Sequence, residues 1–289
     1  MNMSVHLMFN QGSFVNSIFS SIFIITFAPI TFFAFARLFE TLRHKRMIVD
    51  TPYSKIDSAP QDFVKIKGKA YPIDDTEIIL SPLTQRPCCW YNYSVEQIPI
   101  YKNDRFERLE EKTSINLFRI TDETGESIIY PDGAELTTKK KGSWRSRGFD
   151  QLLIMAEPIL MNRLKKRMKP KYSYQFTENR LDIGGEITVL GYLQHYSTGR
   201  NPINEYEDQV INHDNAIAIE QWKKLKKSKN NVSFISRFQL EGRPYIISDL
   251  DLYHFVRDCQ KNIWFSGLCF FLCGAITIFS IYQCLAPIL

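Results

Sequence analysis

Charge is confined to the middle of this chain. Its 36 Lys and Arg and 31 Asp and Glu residues all fall between Arg37 and Lys261, which leaves the first 36 and last 28 of 289 residues uncharged, His6 apart. An ordinary surface helix keeps one polar side for water, so stretches that avoid charge on every face need another solvent. Residues 18–36 are an apolar run of 19, and at ~1.5 Å per helical residue they reach about 29 Å, close to the ~30 Å of a hydrocarbon core. Residues 262–286 are also long enough to span. A cleaved signal peptide fits the first run poorly, because no Lys or Arg precedes it. Pro29 removes one backbone donor there, and the second apolar helix is the neighbour expected to compensate. Helix–helix association through Gly267, Gly274 and Ala275 follows.

Arg37, Arg43, Lys45 and Arg46 follow the first run, and Arg257 and Lys261 precede the second. The positive-inside rule then predicts a two-pass membrane protein with its central region in the cytoplasm and both termini on the opposite side. The expected segments are a short tail at 1–17, membrane helices at 18–36 and 262–286, a basic helical stalk and linker at 37–60, a β-rich domain at 61–248 and a second helical stalk at 249–261. Three of the six cysteines lie in the second apolar run, leaving too few for a disulfide framework.

Within 61–248, runs rich in β-branched and aromatic residues predict strands at 63–68, 89–96, 115–120, 127–130, 172–176, 187–192, 234–238 and 245–248. Turn chemistry separates several of them, as at Asp122-Glu123-Thr124-Gly125 and Pro131-Asp132-Gly133. Helices are expected at 151–167, 216–227 and 249–261, the last capped by Ser248. The predicted fold class is α+β: two transmembrane helices flanking one mainly antiparallel, barrel- or sandwich-like β domain that carries an insertion and a few helices.

The segment Ser81-Pro82-Leu83-Thr84-Gln85-Arg86-Pro87-Cys88-Cys89-Trp90-Tyr91-Asn92-Tyr93-Ser94-Val95-Glu96 resembles the signature of the GIDE domain, found in two-helix mitochondrial RING-type ubiquitin ligases and in bacterial membrane proteins. Further pieces follow in the family's order: Asp122 to Gly125 with Tyr130 to Ala134, Glu178 to Gly185 with Val189-Leu190-Gly191, and Pro244 to Ser248. The resemblance covers roughly residues 61–289 and implies a membrane-held interaction module. In the ligases it also implies ubiquitin transfer by a RING after the second helix. A RING needs about eight Cys or His ligands in paired spacings. Here Cys269, Cys273 and Cys284 lie in an apolar run, His195, His213 and His254 are scattered, and the chain ends at Leu289. No RING, catalytic residue, metal site or cofactor is expected.

Pro82, Arg86, Pro87, Trp90 and Tyr91 are the densest cluster and the candidate binding residues, as an aromatic ledge for a protein partner. The competing reading has the aromatics filling the core and the prolines shaping a turn. Cys88 and Cys89 are expected to be buried rather than reactive. Lys165, Lys166 and Arg167, with Lys223, Lys224, Lys226 and Lys227, are candidate contacts to anionic membrane lipids, against the alternative of a solvated face. Interleaved acidic residues argue against nucleic acid, and Asp208, His213 and Asp214 fit no metal-ligand spacing. Three functions are compatible with these residues: an interaction module binding a protein partner or anionic lipid, a protein related to RING-type ubiquitin ligases, and a structural or envelope-stress membrane protein.

Overall fold

The computed structural model describes residues 2–74, 78–99, 107–139, 142–147, 156–170, 172–197, 215–228, 231–237 and 242–285, with only the backbone of 2–19 and of a few residues at other segment ends. It divides into two units, residues 51–252 and a helical unit made of residues 1–50 and 253–289.

The 51–252 unit is built on a closed barrel. Strands β2 (Phe63–Pro72), β7 (Phe118–Thr121), β8 (Glu126–Ile129), β13 (Asn231–Ser236) and β12 (Glu186–Ser197) pair in that order, and β12 returns to β2. Only β8 and β13 run parallel within this ring. Taken in chain order the five strands are arranged 1-2-3-5-4, the connectivity of an OB-type barrel. Side chains alternate inward with the strand period of two: Val64, Ile66 and Ala70 on β2, Phe118 and Ile120 on β7, Ile187, Val189 and Leu193 on β12, and Ile129 and Ile235 on β8 and β13. Glycine occupies two of these inward positions because nothing larger fits. A Cβ on Gly68 would stand 2.5 Å from the Thr121 carbonyl oxygen, and one on Gly191 would meet the Tyr245 ring at 2.8 Å. The Tyr245 hydroxyl donates to the Tyr130 carbonyl at 2.7 Å.

Two long excursions leave the ring, at 73–117 and at 130–185. The first contributes β3 (Ile79–Leu80), β4 (Pro87–Cys88), β5 (Trp90–Ile98) and β6 (Glu107–Thr113). The second contributes β9 (Glu135–Thr137), β10 (Gly142–Arg147), the helix α2 (Pro158–Arg167) and β11 (Ser173–Leu181). Strands from both assemble a second sheet, β10-β11-β5-β6, so the single insertion expected from the sequence is two insertions that pair with each other. Pro158 starts α2 where a missing N–H costs nothing, and Lys165, Lys166 and Arg167 end it at the negative pole of its dipole. Its Leu160 and Leu164, one turn apart, pack with Tyr93, Val95, Tyr174 and Phe176 of the sheet.

A further helix, α3 (Asn215–Ser228), lies against the outside of the barrel through Ala218, Trp222 and Leu225, which meet Ile128 and Phe234. The Trp222 and Phe234 rings meet edge to face at 5.4 Å. Short strands β1 (Tyr53–Ser54) and β14 (Ile246–Ser248) extend the sheet beside β2 and β12.

The helical unit pairs α1 (Asn2–Asp50) with α4 (Tyr253–Leu285), of 49 and 33 residues. Both contain stretches long and apolar enough to cross a membrane. They run antiparallel, with Ser20 against Gln283 (3.2 Å), Phe35 against Phe270 (ring centroids 5.7 Å apart) and Lys45 bonded to Gln260. Two boundaries differ from expectation. The predicted tail at 1–17 is continuous with α1 from Asn2 onward. Ser248 caps no helix: its Oγ accepts the Leu250 N–H at 3.0 Å in a turn, and α4 starts only at Tyr253.

Candidate functional site

The signature-like segment is folded inward onto a carboxylate. Residues 81–86 form a tight loop in which Gln85 N–H donates to the Ser81 carbonyl at 2.8 Å, and Gln85 itself adopts a left-handed φ of 52°. Glu178 on β11 is fully buried and accepts the backbone N–H groups of Leu83 (2.9 Å) and Thr84 (3.1 Å) together with the Thr84 hydroxyl. Arg180 stands 3.5 Å from Glu178 and donates to Asp182 at 2.9 Å. A buried carboxylate is tolerated only when paired and hydrogen-bonded, and this one is supplied by the loop. Two segments of the family-like pattern, separated by almost one hundred residues in sequence, therefore meet as one polar network.

That geometry separates the members of the proline and tryptophan cluster. Trp90 is 4% exposed and sits in the barrel core. Pro82 is buried, and its carbonyl accepts the Glu157 N–H at 2.8 Å. Tyr91 is half-buried against the α2 side of the second sheet, while Arg86 and Pro87 are exposed. The five residues are not gathered into one exposed ledge: Trp90 and Tyr91 pack, Pro82 is buried in the loop, and Pro87 opens β4. Cys88 and Cys89 are buried, and burial pushes each thiol up to about 12. Of the candidate lipid-contacting residues, Lys165, Lys166, Arg167, Lys223 and Lys224 are exposed on α2 and α3. Arg167 also reaches the Leu109 carbonyl, and Lys224 stands 3.8 Å from Glu220. The side chains of Lys226 and Lys227, and residues 208, 213 and 214, lie outside the described residues.

A groove elsewhere on the barrel has the form of a binding site. It has a volume of about 350 Å³ and lies between β7–β8, α3 and the β3–β4 ribbon. Ile128 and Leu117 contribute apolar surface, and Arg119 of β7 pairs with Glu126 of β8 at 3.4 Å while lying over the Tyr71 ring at 5.8 Å. Gln221 anchors α3 by accepting the Leu117 N–H at 2.9 Å. A second recess of about 280 Å³ shares Ile79, Asn116, Gln221 and Lys224 with the first and adds Ile78, Ile217 and Glu220, so it adjoins the groove with an apolar rim. Asp74, Glu126 and Glu220 line the groove and its adjoining recess together with Arg119 and Lys224. Mixed charge of this kind is unsuited to a polyanion and suited to an amphipathic segment. Of the lining residues, sequence reasoning singled out only Lys224, Cys88 and Cys89. The others come from segments that converge only after the barrel has closed.

Among the described residues, no group of three or more His, Cys, Asp or Glu side chains is placed to hold a metal ion. Compared with known proteins, the chain matches no family model, no curated protein and no solved structure.

Proposed function

We propose that this chain is a two-pass membrane protein that presents a GIDE-type interaction module at the membrane surface, and that the module binds an amphipathic segment of a protein partner along the β7–β8 groove. One observation carries the reading. The groove lies on the second and third strands of an OB-type barrel, bounded by the connection between its first two strands and by the one between its last two, which is where such barrels hold their ligands. Exposed apolar rims at Ile78 and Ile217 supply the contact surface, and the Arg119, Glu126 and Lys224 charges fix register more than affinity. The apolar outer surface of α1 and α4 supports the membrane placement, and the distribution of Lys and Arg supports a cytoplasmic module.

The test is site-specific photo-crosslinking in intact cells. A photoreactive residue at Lys224 is expected to give a discrete adduct that disappears in I78D/I217D, and the same residue at Lys112 on β6 is expected to give none. Equal adducts at both positions, or an adduct indifferent to I78D/I217D, would exclude the groove. Reporters placed after Leu289 and at position 229 test the orientation independently.

A further inference from the structure

The helical unit carries its own depth scale. Trp264 and Tyr282 are 73% and 67% exposed on α4 and stand 18 residues apart, about 27 Å at ~1.5 Å per residue. That is the spacing of the two aromatic belts that flank a hydrocarbon core. The Phe35–Phe270 and Lys45–Gln260 contacts set the antiparallel register, which brings Trp264 level with about residue 41 of α1. Arg43 and Arg46 then lie roughly 3 and 8 Å beyond the belt, at the depth of lipid phosphates, while Phe39 lies just inside it.

These residues share one face. A groove of about 380 Å³ runs along α1, lined by Phe39, Leu42, Arg43, Arg46, Met47 and Asp50. Phe39 is 62% exposed, and both arginines are exposed without an acidic partner among the described residues. Lys45 differs, being bonded to Gln260. Two permanently charged guanidinium groups three residues apart are helical neighbours and match phosphate oxygens through paired donors. Below them, Phe39 and Leu42 offer an acyl chain an apolar wall. A zwitterionic headgroup would bring its own ammonium towards the two arginines, whereas an anionic one leaves them neutralised.

We propose that this face of α1 is a binding site for the phosphate of an anionic glycerophospholipid. The proposal rests on the membrane placement above but not on the groove of the barrel, and it puts lipid recognition on the helix instead of on the α2 and α3 lysines.

The full chain, extracted from vesicles of equal phosphatidylglycerol and phosphatidylcholine, is examined for retained lipid by native mass spectrometry. Preferential retention of phosphatidylglycerol is expected. R43Q/R46Q should lower the ratio roughly tenfold or more, given about a fivefold contribution per basic residue near the surface. R43K/R46K, which keeps charge but loses the paired donors, should fall between the two, and K165Q/K166Q should leave the ratio unchanged. No preference in a chain that floats with the vesicles would overturn the site, as would a ratio that falls in K165Q/K166Q but not in R43Q/R46Q. A chain that does not float at all would instead refute the membrane placement.

Discussion

The barrel and the helix pair use the same kinds of apolar side chain in opposite directions. Phe118, Ile120 and Val189 are wholly enclosed by the ring of strands, whereas Ile25, Phe32 and Phe271 stand out from α1 and α4 with most of their surface uncovered. Burial from water drives the first arrangement and gives the barrel a dense centre. Water would penalise the second, which is economical only where the surrounding solvent is itself apolar and helices associate by close packing and polar contacts. The contacts between α1 and α4 fit that logic: Ser20 with Gln283 and Lys45 with Gln260 are polar, and the Cβ that Gly274 lacks would lie 3.8 Å from Thr31.

The sharpest way to break the contrast is to disturb the most deeply buried charge among the described residues of the 51–252 unit. Replacing Glu178 by Ala removes the acceptor of three donors in the 83–84 loop and leaves Arg180 buried beside a void. A loss of about 3–5 kcal/mol is expected, the range for breaking a buried pair from one side. It should appear as a drop in the thermal midpoint of the full chain followed by tryptophan fluorescence. Glu178→Gln keeps some acceptor capacity and should lose less. If Glu178→Ala melts like the parent chain, the loop is not held by this network.

The complementary change puts charge on the helix pair. Phe271→Arg is expected to cost about 2.5–3.5 kcal/mol of membrane insertion at mid-helix, visible as a shift from the membrane to the soluble or degraded fraction. Phe271→Ala should do far less, because so exposed a side chain makes few contacts within the chain. In the barrel the order reverses: Phe118→Ala, at an enclosed position, should cost about 3–5 kcal/mol. Equal sensitivity of Phe271→Ala and Phe118→Ala would abolish the distinction between the two regions.

How far the sequence discloses this structure follows the same division. The apolar termini declare themselves through the absence of charge, and strands with a continuous apolar stripe, such as β2, β5 and β12, are legible from β-branched and aromatic runs. Strand β6 is not, because Leu109 is its only buried residue and the rest of Glu107–Thr113 is charged or polar. Nor is β10, where Trp144 stacked on Phe176 at 5.8 Å is the chief apolar anchor of an edge strand. Closure of the ring depends on β8 pairing with β13 about a hundred residues later, and no local pattern marks such a pairing. The groove was hidden for the same reason. The signature-like cluster around Pro82 and Trp90 is conspicuous for a different cause: Pro82 and Trp90 are residue types that shape a loop and fill a core, and both are buried.

A smaller effect separates the turns of the domain from its core. Asp122 is desolvated, which by itself would raise its pKa, but bonds from the Thr124 hydroxyl and from the N–H groups of Ile56, Thr124 and Gly125 outweigh that and hold the carboxyl below its ordinary range. A folded-state pKa below the unfolded value of ~3.9 adds stability that is complete above that value and disappears as pH falls through the folded pKa. Asp122→Asn should therefore weaken the fold by about 1 kcal/mol at neutral pH and flatten the acid limb of the stability profile below about pH 4. An unchanged acid limb would show that the Ile56 and Gly125 bonds are not made to a carboxylate.

The smallest change expected is in Cys88 and Cys89, where burial holds both thiols protonated at pH 8. Each lines the barrel groove from within its wall, so alkylation separates a groove that merely borders these thiols from one that opens onto them. Iodoacetamide at pH 8 is expected to leave both unmodified in the folded chain and to modify both after denaturation. Modification of either one in the folded chain would mean that the groove opens deeply enough to solvate a thiolate. Its floor would then be reactive, and the Arg119–Glu126 pair would have to be reconsidered as part of a chemical site as well as a docking surface.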